Sequence, residues 1–512
     1  MTSVNQDSVA ITPAYRWLIV ISGLSGTLVV IFSATMINVA IPSIMGAYGV
    51  GQDLAQWAAT AYIATMVIGQ LMNNWLVSAI GERYAFCVLL VLFTIGSLIC
   101  AVTPNIEVLI IGRIIQGFTA GIVQPLVLAT IISVFPEERR GFAIGLFGMG
   151  VTMAPSFGPL IGGIVIDALT WRHIFIVPLP LVGFAFLMGL LFLPTRKFNA
   201  RLPSFDWTGL ILLSTGLICL MTAVGNGIRW GWGSNEIIIL FMVGFLAATA
   251  FVYSQLHSKN PLLDPTLFLN SRFTAAMLIA FVFGAGNFST NYAIPVFSQT
   301  VQGFSATAAG SILVPAGFIL VAILPFTGRM ADRMSPHYPI MCGLFLFAIA
   351  NYFMADADVN TPILTMILLT VLSRGGLGFV MPSMGVAATR AVETERLHRA
   401  VGTHNFIRQL GGAFGVNVYV VIVESRTAFH SENLTATQTA ANPSSREFLG
   451  KVEHLLNEAG VAEAVQQPGA LDYLGKVIHA QATTFGFQDG FMVVAMLFIF
   501  ALIPAWNLGR AK

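Results

Sequence analysis

Charge is what this chain has least of. Of its 512 residues 9% are Asp, Glu, Lys or Arg, against about a quarter in an average globular protein, which excludes an ordinary water-soluble fold. Cysteine is equally sparse. Cys87, Cys100, Cys219 and Cys342 all fall inside apolar stretches without paired spacing, so they are expected as core residues and imply neither a disulfide nor a metal. There is no phosphate-cradling Gly-Lys-Ser/Thr loop, no His/Cys metal spacing and no nucleophile elbow, so ATP-driven transport and hydrolase chemistry are not indicated. No enzyme activity, cofactor, metal or nucleic-acid partner is expected. No secretory leader is expected either: residues 1–15 are polar, and the run Trp17 to Ile41 is too long for a signal-peptide core and has no small-residue cleavage site, so it is read as a retained first helix.

What the chain does have is apolar length. Hydrophobic residues make up 56% of it, and runs of eighteen or more recur throughout, each long enough to cross a bilayer. Fourteen spans are predicted, over about 16–40, 55–76, 85–103, 107–131, 141–165, 172–193, 207–227, 235–256, 273–294, 305–328, 338–355, 361–384, 402–424 and 488–507. Connections are short except 425–487, where Phe448, Leu449, Val452, Leu455 and Leu456, then Leu471, Leu474, Val477 and Ile478, recur at the spacing of two amphipathic helices. With the N-terminus inside, sixteen Lys and Arg fall in inner segments and six in outer ones, four of those six in the long loop. The positive-inside rule therefore places both termini in the cytoplasm.

The centre of the pattern is Leu109 to Gly163, two spans joined by Pro136-Glu137-Glu138-Arg139-Arg140. The first carries Arg113, Gln116, Gly117, Gly121 and Gln124. The second carries Gly150, Ala154, Gly158 and Gly162, a small residue every fourth position on which another helix can lie closely. Pro155 and Pro159 bend it by removing backbone donors, and Gly163 closes the motif. A charged side chain in mid-helix costs about 3 kcal/mol on insertion scales, so Arg113 is expected to face a cavity or a partner. Arg113-x3-Gly117-Phe118 recurs 261 positions later as Arg374-x3-Gly378-Phe379, and the loop from Asn74 recurs 254 positions later from Gly328. Similar offsets predict two six-helix halves, 16–193 and 273–507, flanking an inserted pair at 207–256, with the substrate path between the halves near the midplane.

These residues carry a resemblance. Leu109-x3-Arg113-x2-Gln116-Gly117 and Gly158-Pro159-x2-Gly162-Gly163 resemble the fourth-helix motif and the fifth-helix antiporter motif of major facilitator superfamily drug exporters. Asn38 to Pro42, Trp57 with Tyr62, Trp171-Arg172, Asp206-x2-Gly209, Gln299 to Gly310 and Gly402 to Gly412 fit its fourteen-helix drug:proton antiporter branch, so the likeness covers almost the whole chain. The resemblance is to the inner-membrane subunit of Gram-negative tripartite multidrug pumps. It implies the major facilitator fold, antibiotic resistance by multidrug efflux, a bacterial inner-membrane location, and as partners the lipid bilayer, a small amphipathic substrate, a periplasmic adaptor (membrane fusion protein) and an outer-membrane channel.

Roles follow from it residue by residue. Arg113, Gln116, Gln124 and Arg374 are candidates for coupling or the cavity. Gly150, Ala154, Pro155, Gly158, Pro159, Gly162 and Gly163 form the antiporter motif. Gly328, Arg329, Asp332 and Arg333, with Asn405, Arg408 and Gln409, are candidates for a cytoplasmic gate, and Asn38, Trp57, Tyr62, Asn287 and Tyr292 for the substrate path. Four positions, in two places, depart from the family pattern. Asn74, Ser78 and Ala79 stand where Gly, Asp and Arg are usual, and Ser33 stands where the first helix usually carries an acid. Either a span-end acid (Asp206 or Glu424) or His404 then carries the proton, or the coupling differs from the family's. The chain is thus expected to export amphipathic compounds by alternating access, with proton antiport. An uptake carrier or facilitator, and a non-transporting receptor on the same scaffold, are the alternatives.

Overall fold

In lipid a backbone has no water to bond, so each apolar run must satisfy its own N–H and C=O groups as helix. The computed structural model describes residues 13–136, 140–195, 204–258, 261–393, 396–439 and 441–510. Most of the N-terminal tail, Glu137-Glu138-Arg139, and Arg196, Lys197, Arg201 and Lys259 among the orienting charges lie outside the described residues. No strand occurs among the described residues.

The α-helices are α1 (Pro13–Tyr48), α2 (Gln52–Ala55), α3 (Trp57–Val102), α4 (Ile106–Val134), α5 (Arg140–Ala168), α6 (Leu179–Phe192), α7 (Trp207–Trp230), α8 (Asn235–His257), α9 (Ser271–Thr300), α10 (Ala306–Ser311), α11 (Leu313–Arg333), α12 (His337–Met354), α13 (Ile363–Arg390), α14 (Leu397–Ala436), α15 (Pro443–Glu458), α16 (Glu463–Phe500) and α17 (Leu502–Arg510). Thirteen apolar stretches among the described residues are long enough to cross a membrane. One of them, Gln52–Val102, has 51 residues, about 76 Å of helix at 1.5 Å per residue, and so must cross twice. It doubles back at Gly81, where φ is 78°, a left-handed value that glycine adopts without a Cβ penalty. Fourteen crossings result, with α10–α11 and α16–α17 each forming one. The face holding Pro13 and Arg510 is called here the terminal face, and the opposite one the arm face.

The arm itself differs from the sequence expectation. Residues 425–487 are not a loop carrying two separate helices: α14 continues beyond its span to Ala436, and α16 begins at Glu463 and runs unbroken into the last crossing, leaving only α15 free-standing. Phe448 of α15 stacks on Tyr473 of α16 at 6.0 Å, while Leu455, Leu471 and Val477 of the two apolar stripes stay exposed. Arg426 and His430 of α14 both donate to Asp489 Oδ2 of α16, at 2.5 and 2.8 Å, tying the base of the arm.

Packing repeats along the chain. α1 lies on α5 and α6, and α3 pairs with α4; correspondingly α9 lies on α14, and α13 pairs with α11 and α12. α7 and α8 pack chiefly on each other. Asp206 caps α7 through Gly209 N and accepts from Gln255 Nε2 of α8 at 2.6 Å. Large apolar side chains such as Leu191, Phe245, Leu246 and Phe500 are exposed on the outside, the surface a bilayer would cover. Of the cysteines, Cys87 and Cys100 are buried, whereas Cys342 is exposed on α12, so it is not the core residue its apolar surroundings implied.

Candidate functional site: a central cavity sealed at the arm face

The helices from α1 to α6 enclose a polar cluster of their own. Arg113 of α4 is fully buried. Its Nε donates to the Ala58 carbonyl at 2.6 Å, and Nη1 donates to Ser33 Oγ at 3.0 Å and Gln116 Oε1 at 2.8 Å. Gln116 passes the chain on to Ser97 Oγ at 2.7 Å. The guanidinium lies 4.2 Å from the centre of the Tyr62 ring, a cation–π contact, and Tyr62 donates to the Val30 carbonyl at 2.6 Å. These bonds join α1, α3 and α4. Ser33 thus stands beside Arg113, where a first-helix acid would have paired with it.

A cavity with about 1190 Å³ of unfilled space, part of it open, lies between this set and the set from α9 to α14. Asn38, Gln124, Asn287, Tyr292, Arg374, Arg408 and Gln409 border it among mainly apolar neighbours. Arg374 is held by α9: Nη1 donates to Asn287 Oδ1 at 2.5 Å, Nη2 to Asn291 Oδ1 at 2.9 Å and, more loosely, to Thr290 Oγ1 at 3.4 Å. α14 is pressed onto α9 at Gly284, where a Cβ would collide with the Arg408 carbonyl, and at Gly411, where one would collide with the Phe281 carbonyl.

On the arm-face side of the cavity the two sets are bonded together. Asn38 Nδ2 donates to the Asn291 carbonyl at 3.2 Å, and Gln299 Nε2 to the Val39 carbonyl at 3.1 Å. Asp53 N donates to Glu424 Oε1 at 2.6 Å, and Gln56 Nε2 to Asn417 Oδ1 at 3.4 Å. Thr307 N donates to Asp167 Oδ2 at 2.9 Å, a carboxylate at the positive end of α10. The proline-bent α5 carries this seal. A Cβ at Gly158 would collide with Thr35 of α1 and one at Gly162 would press on Met36, while Gly163 meets the Ala306 carbonyl and the Pro159 carbonyl meets Gly310. One face of α5 thus lies on its own set and the other crosses α10. Toward the terminal face, Gln409 Nε2 donates to Gln70 Oε1 at 2.7 Å.

The predicted residues divide accordingly. Gln124, Arg374, Asn38, Asn287 and Tyr292 border the cavity; Arg113, Gln116, Trp57 and Tyr62 do not. Arg113 and Gln116 are turned inward, toward the Ala58 carbonyl and Ser97 hydroxyl of α3 and the Ser33 hydroxyl of α1, and Arg113 Nη2 has no hydrogen-bond partner among the described residues. Trp57 packs against Gly225 of α7. Gly150 approaches Leu24 of α1, and Ala154 is buried. Arg408 and Gln409, expected at a cytoplasmic gate, border the cavity; Asn405 is half-buried and does not. Gly328 has nothing within contact distance, Arg329 and Arg333 are exposed at the end of α11, and the Asp332 side chain lies outside the described residues. Of the substitute acids, Asp206 is the α7 cap described above, and Glu424 lies between the two sets; His404 is buried. Asp167 is not among the candidates named from the sequence. Its signal was the Ser305-x-Thr307 that follows Gly303, a helix start with a free amide end.

An all-helical body with fourteen crossings and a central cavity closed on one face is the architecture of a secondary transporter. The chain belongs to the major facilitator superfamily, whose family model matches residues 23–416. Among curated proteins it is similar to the Multidrug export protein EmrB of Haemophilus influenzae, 30% identical over 486 residues and covering 94% of this chain and 93% of that protein. It is also similar to the Lincomycin resistance protein LmrB of Listeria monocytogenes, 28% identical over 407 residues and covering 80% and 86%. Among solved structures, a bacterial homologue of the human lysosomal transporter Spinster in an inward-facing, unoccupied conformation superimposes with a TM-score of 0.63 at 14% identity, over 98% of both chains. The POT family transporter PepTSo does so with a TM-score of 0.61 at 14% identity, over 98% of this chain and 99% of that one.

Proposed function

We propose that the chain exports small amphipathic compounds across a bacterial inner membrane by alternating access, with its terminal face in the cytoplasm. The observation that carries this reading is the α5–α10 crossing. It closes the arm-face end of an amphipathic cavity using backbone approaches at Gly163 and Gly310 that only glycine permits. Two rigid sets packed in the same pattern can rock about such a crossing, exposing the cavity to one side and then the other. The relatives named for multidrug export and lincomycin resistance support the outward direction.

Proton antiport is the proposed energy source. The cavity wall holds no carboxylate among the described residues, so the titrating group falls to Glu424, whose contact with Asp53 must break whenever the arm face opens. The arm of α14, α15 and α16 is proposed as the dock for a periplasmic adaptor leading to an outer-membrane channel. The test is accumulation of fluorescent amphipathic cations, acids and neutral dyes in pump-deficient cells expressing the chain, with and without a protonophore. Lower accumulation of at least one class, abolished by the protonophore, is expected. Unchanged accumulation of every class, with the protein shown to be in the membrane, would reject export. Raised accumulation would favour the uptake carrier that Ser33 in place of an acid leaves open.

A further inference from the structure

We infer that the central cavity is an organic-anion site, and that the cargo is an aromatic or aliphatic body bearing one carboxylate or sulfonate. As a statement about cargo this rests on the exporter reading; as a statement about the cavity it can fail separately.

The observation is an unbalanced charge count. Two of the residues bordering the cavity are formally charged, Arg374 and Arg408, and both are cations; no Asp or Glu borders it among the described residues. Arg374 is 4% exposed, yet its partners, the Asn287 and Asn291 amide oxygens and the Thr290 hydroxyl, are all neutral. They aim the guanidinium without cancelling its charge. Arg408 makes no hydrogen bond or ion pair with any described residue, and its backbone is fixed by the close packing of α14 on Gly284. Arg113 differs from these two in position rather than in the charge of its partners, which are neutral as well. Arg113 lies off the cavity, enclosed by a carbonyl, a hydroxyl, an amide and an aromatic face on three helices of one set. Arg374 and Arg408 instead belong to α13 and α14, and both border the cavity.

Physical consequences follow. Away from bulk water a charge is poorly screened, so two uncompensated guanidinium groups repel a cationic guest and attract an anionic one. The planar fork of arginine matches a carboxylate or sulfonate with paired N–H donors, which an ammonium cannot replace. Phe283, Phe288, Met66 and Met381 supply the apolar remainder of the wall, where an adaptable thioether and a ring face accept varied carbon skeletons. Asn38, Gln124 and Gln409 are neutral and add hydrogen bonds without changing the sign. Moving such a monoanion out of a cell also runs down an inside-negative membrane potential.

The test uses three probes with one aromatic body: 2-naphthoate, 2-naphthamide and 2-naphthylmethylammonium. Equilibrium binding of radiolabelled probe is measured on the full chain in phosphatidylcholine nanodiscs, with empty nanodiscs as the partition control, and efflux of the same probes is followed from preloaded cells. The naphthoate should bind at least tenfold more tightly than the ammonium. Arg374→Gln with Arg408→Gln should weaken naphthoate at least tenfold more than it weakens naphthamide, whose remaining saturable binding also shows that the variant is folded. Should the pair not fold, Arg408→Gln and Arg408→Lys alone carry the test, and Lys should retain more of the preference than Gln. Equal affinity for anion and cation, loss of all three probes together, or no saturable naphthoate binding would overturn the assignment. Efflux of the cationic probe with no anion preference would do the same while leaving the exporter reading intact. Anion-selective binding without efflux of any probe would keep the site and remove the exporter.

Discussion

Gly310→Ala should open the arm face. The Cβ it adds would stand 2.3 Å from the Pro159 oxygen and 2.5 Å from its carbonyl carbon, with Leu160 N at 2.8 Å. All three are backbone atoms, so no rotamer change relieves the contact. Ordinary van der Waals contact needs about 1 Å more, and overpacking of this kind costs about 1–3 kcal/mol. The strain exists only while α5 and α10 are crossed, so it counts against the sealed state alone and shifts the sealed-to-open ratio by about 5- to 150-fold. Separation would also stretch the 2.9 Å bond from Thr307 N to Asp167. The assay is a pulsed electron–electron distance measurement between spin labels on cysteines replacing Leu169 and Asn360, both exposed at the arm face of opposite sets, in a background without the native cysteines. Gly310→Ala should add a longer-distance population. Gly385→Ala, whose Cβ would meet nothing within 4 Å, should not. A Gly310→Ala distribution identical to the parent would refute the claim that this crossing is the seal.

Other outcomes follow from the same geometry. Arg113→Ala removes a clamp joining α1, α3 and α4 together with its hydrogen bonds to Ala58, Ser33 and Gln116, so stability should fall by about 2–4 kcal/mol; a thermal melt in detergent within 1 °C of the parent would contradict it. Ser33→Asp places a carboxylate beside Arg113, 3.0 Å from the present hydroxyl contact, and should raise the melting temperature, whereas a fall would show that the site cannot hold the ion pair. Asp264, in the connection between α8 and α9, is pushed up by burial, but bonds from Thr266 and Arg399 outweigh this and hold it below the ordinary carboxylate range. A depressed folded-state value contributes stability above the unfolded carboxylate's range and loses it as pH falls through the folded one. Asp264→Asn should therefore lower the melting temperature at pH 7 and make progressively less difference below pH ~4; a pH-independent difference would reject the ion pair as its cause.

The crossings were legible because lipid leaves the backbone no alternative to helix, and the α5 contacts because a small residue every fourth position has few other uses. Much of the rest depended on partners distant in sequence. Glu424 meets Asp53 across 371 positions and Asp167 meets Thr307 across 140, so neither pairing could be read from the sequence, where Glu424 stood only as a candidate proton carrier. The repeat made Arg113 and Arg374 look equivalent, yet one is buried within a set and the other faces the cavity. Helical periodicity names a face but not the neighbour on it, and α4 is buried on more than one side. The arm was read as a loop because its helices turn amphipathic beyond the spans, where hydropathy falls while the helix continues.

The central claim, outward transport through the cavity, is tested most directly in everted inner-membrane vesicles, where export appears as uptake. On adding NADH, vesicles carrying the chain should concentrate an amphipathic probe into the lumen, a protonophore should release it, and vesicles without the chain should do neither. No lumenal accumulation of any probe, or loss of preloaded probe on energisation, would contradict the account.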